Sequence, residues 1–390
     1  FEEKMAYEGQ FDIENWYDSL SDATFETKFL PLTLAEARVI RVAYRYQYCK
    51  DRQMTTAESE VLGQLRDKIQ TAMDPKEEYF IRLSSRSPKD AMILSEMSDV
   101  PDLKSYSQEV VRDVSAKLKE LSITKDRLEQ RLKEVDDELI QEEGLASLMT
   151  DVQRNEIATV MMNSMKKFLK ANSADQVVTL LTSSERVSVD LYRYMDMKKH
   201  QVETEEQAKS HCICKIVLRK WVEVNDEDEY RCFFYNGKLT GISQYNYYIF
   251  VPSLTQEMQR EKIQQEIQRF FNSIQSRLPT HLGVLDVHVD PKTFEVRLIE
   301  LNPFNEGVSH GTGGSLFHWT NDRKLLTEGP LTMRFVEEIS PKVNKSLFVL
   351  MDTDRLIQVL FQNLINGNPV LNQEKKNEKS SQKGKCLIFQ

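Results

Sequence analysis

A chain of 390 residues can bury a sizeable core without disulfide or metal staples, and its balance of 52 basic against 61 acidic residues excludes a protein that meets nucleic acid through a global basic surface. Five cysteines, at 49, 212, 214, 232 and 386, form neither a CxxC pair nor a Cys/His cluster with zinc spacing, which fits reduced thiols in a cytoplasmic protein. No apolar run approaches the roughly 20 residues of a bilayer span, and the acidic stretch beginning at Phe1 lacks the basic and apolar regions of a secretory signal.

Residues 11–32 mix aromatic and β-branched side chains up to Pro31-Leu32. Thr33 then stands where it caps a helix running through Ala37 and Ile40, and the helical pattern continues to about Met73. Residues 79–91 predict a short strand entering a polar loop rich in hydroxyl and cationic groups, the first place along the chain that suits an anion.

From 111 to 139, the positions Val111, Val114, Leu118, Leu121, Lys125, Leu128, Leu132, Val135 and Leu139 alternate spacings of three and four, the seam pattern of a coiled coil. With a break near Glu143-Gly144 and the Met-rich stretch 157–169 folding back, residues 95–170 predict a helical hairpin. It is either an internal strut or an arm that engages a partner.

The second half changes texture. Strands are expected over 213–221 and 230–244, the latter turning at Asn236-Gly237, a pair suited to a type I′ hairpin. A helix over 255–278 carries Met258, Ile263, Ile267, Phe270, Phe271 and Ile274 on one side, and two further strands, 284–289 and 294–301, are joined across 290–293. Beyond about 367 the composition is that of a disordered polar tail. The organisation expected is α+β, with an N-terminal part at 1–94, the helical insert at 95–170, two further lobes over 171–366 and the tail at 367–390.

Strand alternation puts Asp286, His288 and Asp290 on one face, and Glu300 with Asn302 on one face of the next strand. If the two strands pair, Asp286, Glu300 and Asn302 converge as oxygen ligands suited to magnesium, which takes one or two carboxylates plus substrate phosphates. The competing reading is a solvated face of carboxylates. Arg219, Lys220 and Arg231 offer phosphate or carboxylate contacts on the preceding strands. Taken singly, each is more often a surface cation or an ion-pair partner.

These residues fall within a set of motifs, Ile81-Arg-Leu-Ser-Ser-Arg-Ser-Pro-Lys-Asp-Ala91, Val217-Leu-Arg-Lys-Trp-Val-Glu223, Glu229-Tyr-Arg-Cys-Phe233, Lys238-Leu-Thr-Gly-Ile-Ser-Gln244 and Leu298-Ile-Glu-Leu-Asn-Pro-Phe304. The set resembles, in order, the cell division cycle protein 123 family. Weaker similarity covers Phe11-Asp-Ile-Glu-Asn-Trp16, Leu30-Pro-Leu32 and Ser183-Ser-Glu-Arg-Val-Ser-Val-Asp190. The resemblance implies a two-lobed ATP-grasp-like fold with ATP between the lobes and the adenine near Leu218. It further implies Arg82, Lys89, Arg219, Lys220 and Arg231 as cationic contacts, Ser85 and Ser87 lining the loop, and Asp286, Glu300 and Asn302 holding Mg2+.

Three departures stand out: the family usually has lysine at Arg82, tryptophan at Ser85 and aspartate at Glu300. The last brings the chain closer to the Glu-x-Asn pattern of ATP-grasp ligases. A glycine-rich loop, 307–314, follows directly and is either a substrate cover or a surface turn. The role implied is an ATP-dependent assembly chaperone for eukaryotic translation initiation factor 2, with its gamma subunit as client, an acidic chain suiting a basic patch on that partner. The alternative is an ATP-dependent carboxylate-amine ligase. Cys386 follows a lysine run as a prenylated cysteine would, but four residues follow it rather than three, so membrane tethering is not expected.

Overall fold

The structure, a computed structural model, describes residues 9–50, 52–91, 112–123, 130, 149–198, 204–305 and 312–339. The chain divides into two compact units, one made of 1–103 with 165–338 and the other of 104–164 with 339–390.

The first unit opens with α1 (Ile13–Leu20), which buries Ile13, Trp16 and Leu20. Strand β1 (Thr27–Thr33) leads into α2 (Leu34–Tyr44), and the Thr33 hydroxyl and Glu36 carboxylate form a reciprocal capping box at that junction. The helical region expected to about Met73 is present as two helices with a break between them. A π-helical turn at Arg45–Cys49 ends with Lys50 in the left-handed region, at φ 54°, and a second capping box from Thr55 and Glu58 starts α3 (Thr56–Ala72).

β2 (Tyr79–Leu83), β3 (Lys170–Ala171) and β4 (Cys212–Lys220) complete a sheet with strand order β1-β4-β2-β3, in which every neighbouring pair is antiparallel. Strand β4 is central, and its run Ile216-Val217-Leu218 is fully buried. The apolar strand takes an inner place, where both of its edges are paired, and the two-residue β3 closes one side of the sheet. Cys212 is exposed and Cys214 buried although residues two apart on a regular strand share a face; the register shift opposite Leu32 and Thr33, which leaves Ile213 unmatched, separates them.

The second sheet has the order β8-β7-β5-β6-β9, from β5 (Glu229–Tyr235), β6 (Lys238–Gln244), β7 (Gly283–Val289), β8 (Val296–Asn302) and β9 (Thr332–Arg334). Asn236 and Gly237 both have positive φ, 50° and 69°, and close the β5–β6 hairpin as their types demand. A long helix, Glu257–Ile274, buries Ile263, Ile267, Phe271 and Ile274, and Phe271 meets Phe234 with ring centroids 5.6 Å apart. Met258, expected on the same side, is 83% exposed: five residues before Ile263 it has rotated off the buried stripe.

The β7–β8 pairing decides the site. Asp286 lies opposite Glu300 and Val284 opposite Asn302, but Val287 pairs with Leu298, so Ile299 is an extra residue in β8. Such a bulge leaves one residue outside the ladder. The Ile299 carbonyl accepts instead from Arg219 Nη1 on β4, at 2.5 Å.

In the second unit, a helical stretch at 112–120 buries Val114 and Leu118, and the helix Asp151–Lys167, which ends in the first unit, buries Ile157, Ala158 and Met161. Ser164 Oγ donates to Asp113 at 2.9 Å and Lys117 pairs with Glu156 at 2.8 Å, contacts that run in opposite chain directions, as in two antiparallel helices. The remaining seam positions, apart from Leu121, and the tail lie outside the described residues, as do 307–311 of the glycine-rich loop.

Candidate functional site

Within the first unit a cavity of about 370 Å³ is lined by Ser85, Ser87, Lys89, Arg231, Glu300 and Asn302, among others. Asp286 lies directly behind it, fully buried. Its carboxylate accepts from Arg231 Nε at 2.8 Å and Arg231 Nη2 at 2.7 Å, a bidentate pair, and Asn302 Nδ2 adds a third bond at 3.0 Å. Asn302 also reaches Glu300 Oε1 at 3.3 Å, and Arg82 Nη1 donates to Glu300 Oε2 at 2.8 Å. The structure therefore brings Asp286, Glu300 and Asn302 within hydrogen-bonding distance of one another.

Charge organises the cluster. Burial raises the Asp286 carboxyl to about 6, and the Arg231 guanidinium opposes that rise. For Glu300 burial also acts upward, but Arg82, then Lys89 and Arg231, outweigh it and hold the carboxyl well below the usual carboxylate range. Both carboxylates are thus ionised at neutral pH. Burial, and next to it the like charge of Arg82, pull Arg219 down to about 9. Arg219 is almost wholly buried, and its Nη2 has no hydrogen-bond partner among the described residues.

Among the described residues no three His, Cys, Asp or Glu side chains group to hold a metal, so a cation here would rely on two carboxylates, an amide oxygen and the ligand's own oxygens. The donor set fits a hard cation. Glu300 Oε1 and Oε2 each accept one bond and retain a lone pair, and the Asn302 Oδ1 is left over while its Nδ2 donates.

Not every expected residue reaches the cavity. Lys220 is 44% exposed, pairs with Glu77 at 2.9 Å, and with Leu218 lines a separate small cavity beside Tyr79. The reason is the period of a strand: neighbours on β4 point to opposite faces, so Arg219 turning inward sends Lys220 outward. Arg82 and Arg219 lie behind the lining and brace Glu300 and Ile299. Ser85 Oγ donates to Asp190 at 2.6 Å, and Lys89 Nζ stands 3.5 Å from the Tyr245 hydroxyl.

The family model described as D123 matches residues 158–355, slightly more than half of the chain. The chain belongs to the D123 family. Among its relatives, a translation initiation factor eIF2 assembly protein of Xenopus laevis is 37% identical over 117 residues, 30% of this chain and 32% of that protein. One of Vanderwaltozyma polyspora is 30% identical over 168 residues, 42% and 41% of the two chains. The cell division cycle protein 123 of Eremothecium gossypii is 30% identical over 175 residues, 44% and 45%. The matches thus span a third to under a half of those curated relatives. A solved structure of Cdc123 from Schizosaccharomyces pombe superposes with a TM-score of 0.48 at 15% identity, covering 85% of this chain and 98% of that one. No described helix is long and apolar enough to cross a membrane.

In this D123 member α4 (Asp151–Lys167) and α5 (Ala174–Thr182) precede α6 (Glu185–Lys198), which forms one wall of the cavity through Arg186, Asp190, Arg193, Tyr194 and Met197. Their spacing of four, three, one and three is a single helical face. Asp190 is gripped by Arg86 through bonds of 2.9 and 2.5 Å, and Tyr194 donates to Asp12, also on the lining. Burial, then the neighbouring Glu14, push the Asp12 carboxyl up to about 7. Sequence reasoning assigned none of these residues to the site; the helical spacing was the available signal.

Proposed function

We propose that the cavity binds ATP with Mg2+ in an ATP-grasp-like two-lobed arrangement, and that the protein acts in the cytoplasm as an assembly factor for translation initiation factor 2, gripping its gamma subunit. The observation that carries the nucleotide reading is the convergence of Asp286, Glu300 and Asn302 with the cations Arg231 and Lys89 on one cavity. The assembly role is taken from the names of its D123 relatives. Asp286, Glu300 and Asn302 would hold the ion, which would neutralise phosphate charge when bound. The chain's own residues do the rest. Arg231, braced by Asp286 and by the Gly313 carbonyl at 2.6 Å, and Lys89 offer positive charge to phosphate oxygens, while Arg82 keeps Glu300 ionised.

A second reading, an ATP-dependent carboxylate-amine ligase, draws on Asp12, a cavity-lining carboxyl near 7 that could take a proton from an acceptor amine at neutral pH. One set of experiments separates the two. Nucleotide titration should show magnesium-dependent binding that Asn302→Ala and Glu300→Gln each weaken about tenfold or more. Binding indifferent to magnesium and to both substitutions would overturn the nucleotide reading. Incubation with ATP and cell extract should capture the gamma subunit without steady ADP release. Turnover coupled to new mass on an acceptor would instead establish the ligase.

A further inference from the structure

The cavity holds a cation that the proposed site does not use. Arg186 opens the α6 wall; its backbone N–H donates to Asp90 at 3.0 Å, and Ser184 Oγ donates to the same carboxylate at 2.5 Å. Those bonds fix the first turn of α6 to the loop that carries Ser87 and Lys89. Among the described residues the Arg186 guanidinium itself makes no hydrogen bond or ion pair. A guanidinium is a rigid fork of five donors, and one that lines a cavity without a protein partner presents those donors to water or to a ligand.

Its surroundings say what kind of ligand. The guanidinium is drawn down first by burial and then by the like charge of Arg86, while Asp90, then Glu300 and Asp190, act upward, so it lies within electrostatic reach of Arg86 and Glu300 across the cavity lining. Lys89 in turn feels Arg186 as a repelling neighbour. The lining carries Arg86, Lys89, Arg186, Arg193 and Arg231 against Asp12, Asp190 and Glu300, a cationic surplus inside a chain of net charge −9. Arg86 is already committed to Asp190, and Arg231 to Asp286. Arg186 and Lys89 are therefore the cations most open to an anion that reaches past Glu300.

We propose that Arg186 receives the terminal phosphate of a nucleoside triphosphate, so that the α6 wall distinguishes triphosphate from diphosphate. This rests on the nucleotide reading above and adds a residue outside its set. A planar fork matches two oxygens of a terminal phosphate, whereas a phosphate inside a polyphosphate chain has fewer free oxygens to offer.

Calorimetric titration of the full chain with Mg2+ and ATP, ADP or AMP, in wild type, Arg186→Gln and Arg186→Lys, tests it. Arg186→Gln should weaken ATP by about tenfold or more, ADP by less, and leave AMP unchanged, with Arg186→Lys intermediate for ATP. Equal losses for all three nucleotides, or no loss for ATP, would overturn the role of Arg186 while leaving the nucleotide site intact. Wild-type protein that binds none of the three would instead remove the nucleotide reading, and this inference with it. Unfolding midpoints of both variants within a degree or two of wild type exclude misfolding as the cause of a selective loss.

Discussion

Arg82 on one sheet donates to Glu300 on the other at 2.8 Å, and the arginine side chain is 4% exposed. The bond ties the floor of the cavity to the strand carrying its oxygen ligands. Arg82 also donates through Nη2 to the Ser85 carbonyl at 2.6 Å, so one guanidinium holds the polar loop and Glu300 together.

Removing that brace should cost both order and charge. Arg82→Ala is expected to destabilise the protein by about 2 kcal/mol, less than a fully buried pair would lose because Glu300 is partly exposed. Urea denaturation measures it. Arg82→Lys should recover charge at Glu300 but not the second bond, restoring less than half of the loss.

The Arg231–Asp286 pair is more deeply buried, at 10% and 1% side-chain exposure. Asp286→Asn leaves Arg231 facing an uncharged amide and should cost about 3–5 kcal/mol. Combining Arg231→Met with Asp286→Leu should cost less than the sum of the single changes, by at least about 1 kcal/mol. A double-mutant cycle by chemical denaturation gives the number; strict additivity would mean the two groups do not act as a pair.

The two lysines of the expected cation set should behave oppositely. Lys89→Ala is expected to weaken nucleotide binding about tenfold. Lys220→Ala, at an exposed pair with Glu77 outside the cavity, should leave affinity and the unfolding midpoint unmoved. Parallel titrations decide it, and equal losses would put Lys220 back among the ligand contacts.

Asp12 makes stability depend on pH. Its carboxyl rises from 3.8 to about 7 on folding, so between those values the folded state binds more protons than the unfolded one. Stability from this group is therefore greatest below about pH 4 and falls as pH rises through 7. Asp12→Asn should flatten that decline and gain on the order of 1 kcal/mol at pH 8, after allowance for partial exposure. Thermal unfolding from pH 5 to 8 checks the slope.

A fifth expectation concerns the end of the glycine-rich loop. A Cβ at Gly314 would collide with the Phe317 carbonyl oxygen, inside a turn closed by Phe317 N–H donating to the Gly314 carbonyl at 2.9 Å. Gly314→Ala should open the turn, pull the Gly313 carbonyl from Arg231, and cost about 1–3 kcal/mol.

Much of this arrangement was legible in the sequence, for identifiable reasons. Asn236-Gly237 announced its hairpin because few residue pairs accept two positive φ angles. Asp286, Glu300 and Asn302 could be brought together from a period of two and an assumed pairing of the two strands. The α6 wall was not legible: the spacing from Arg186 to Met197 marks a helix face, but nothing in it says whether that face meets solvent or a cavity. Lys220, which the resemblance implies as a contact, lines a different cavity because alternation on β4 turns it to the face opposite Arg219. The interruption at Lys50 depended on a left-handed backbone at a residue type that gives no sign of it.

The extra residue at Ile299 has a consequence for any change in length nearby. Below it, Leu298 turns to the N-terminal segment, donating to the Ala23 carbonyl at 2.8 Å and accepting from the Thr24 hydroxyl at 2.6 Å; above it, Glu300 and Asn302 keep step with β7. The strand is therefore two independently anchored pieces with a one-residue splice between them. Deleting Ile299 would let the ladder zip without interruption while depriving Arg219 of its acceptor, so a hairpin more regular than the natural one would be a worse scaffold for the oxygens it carries.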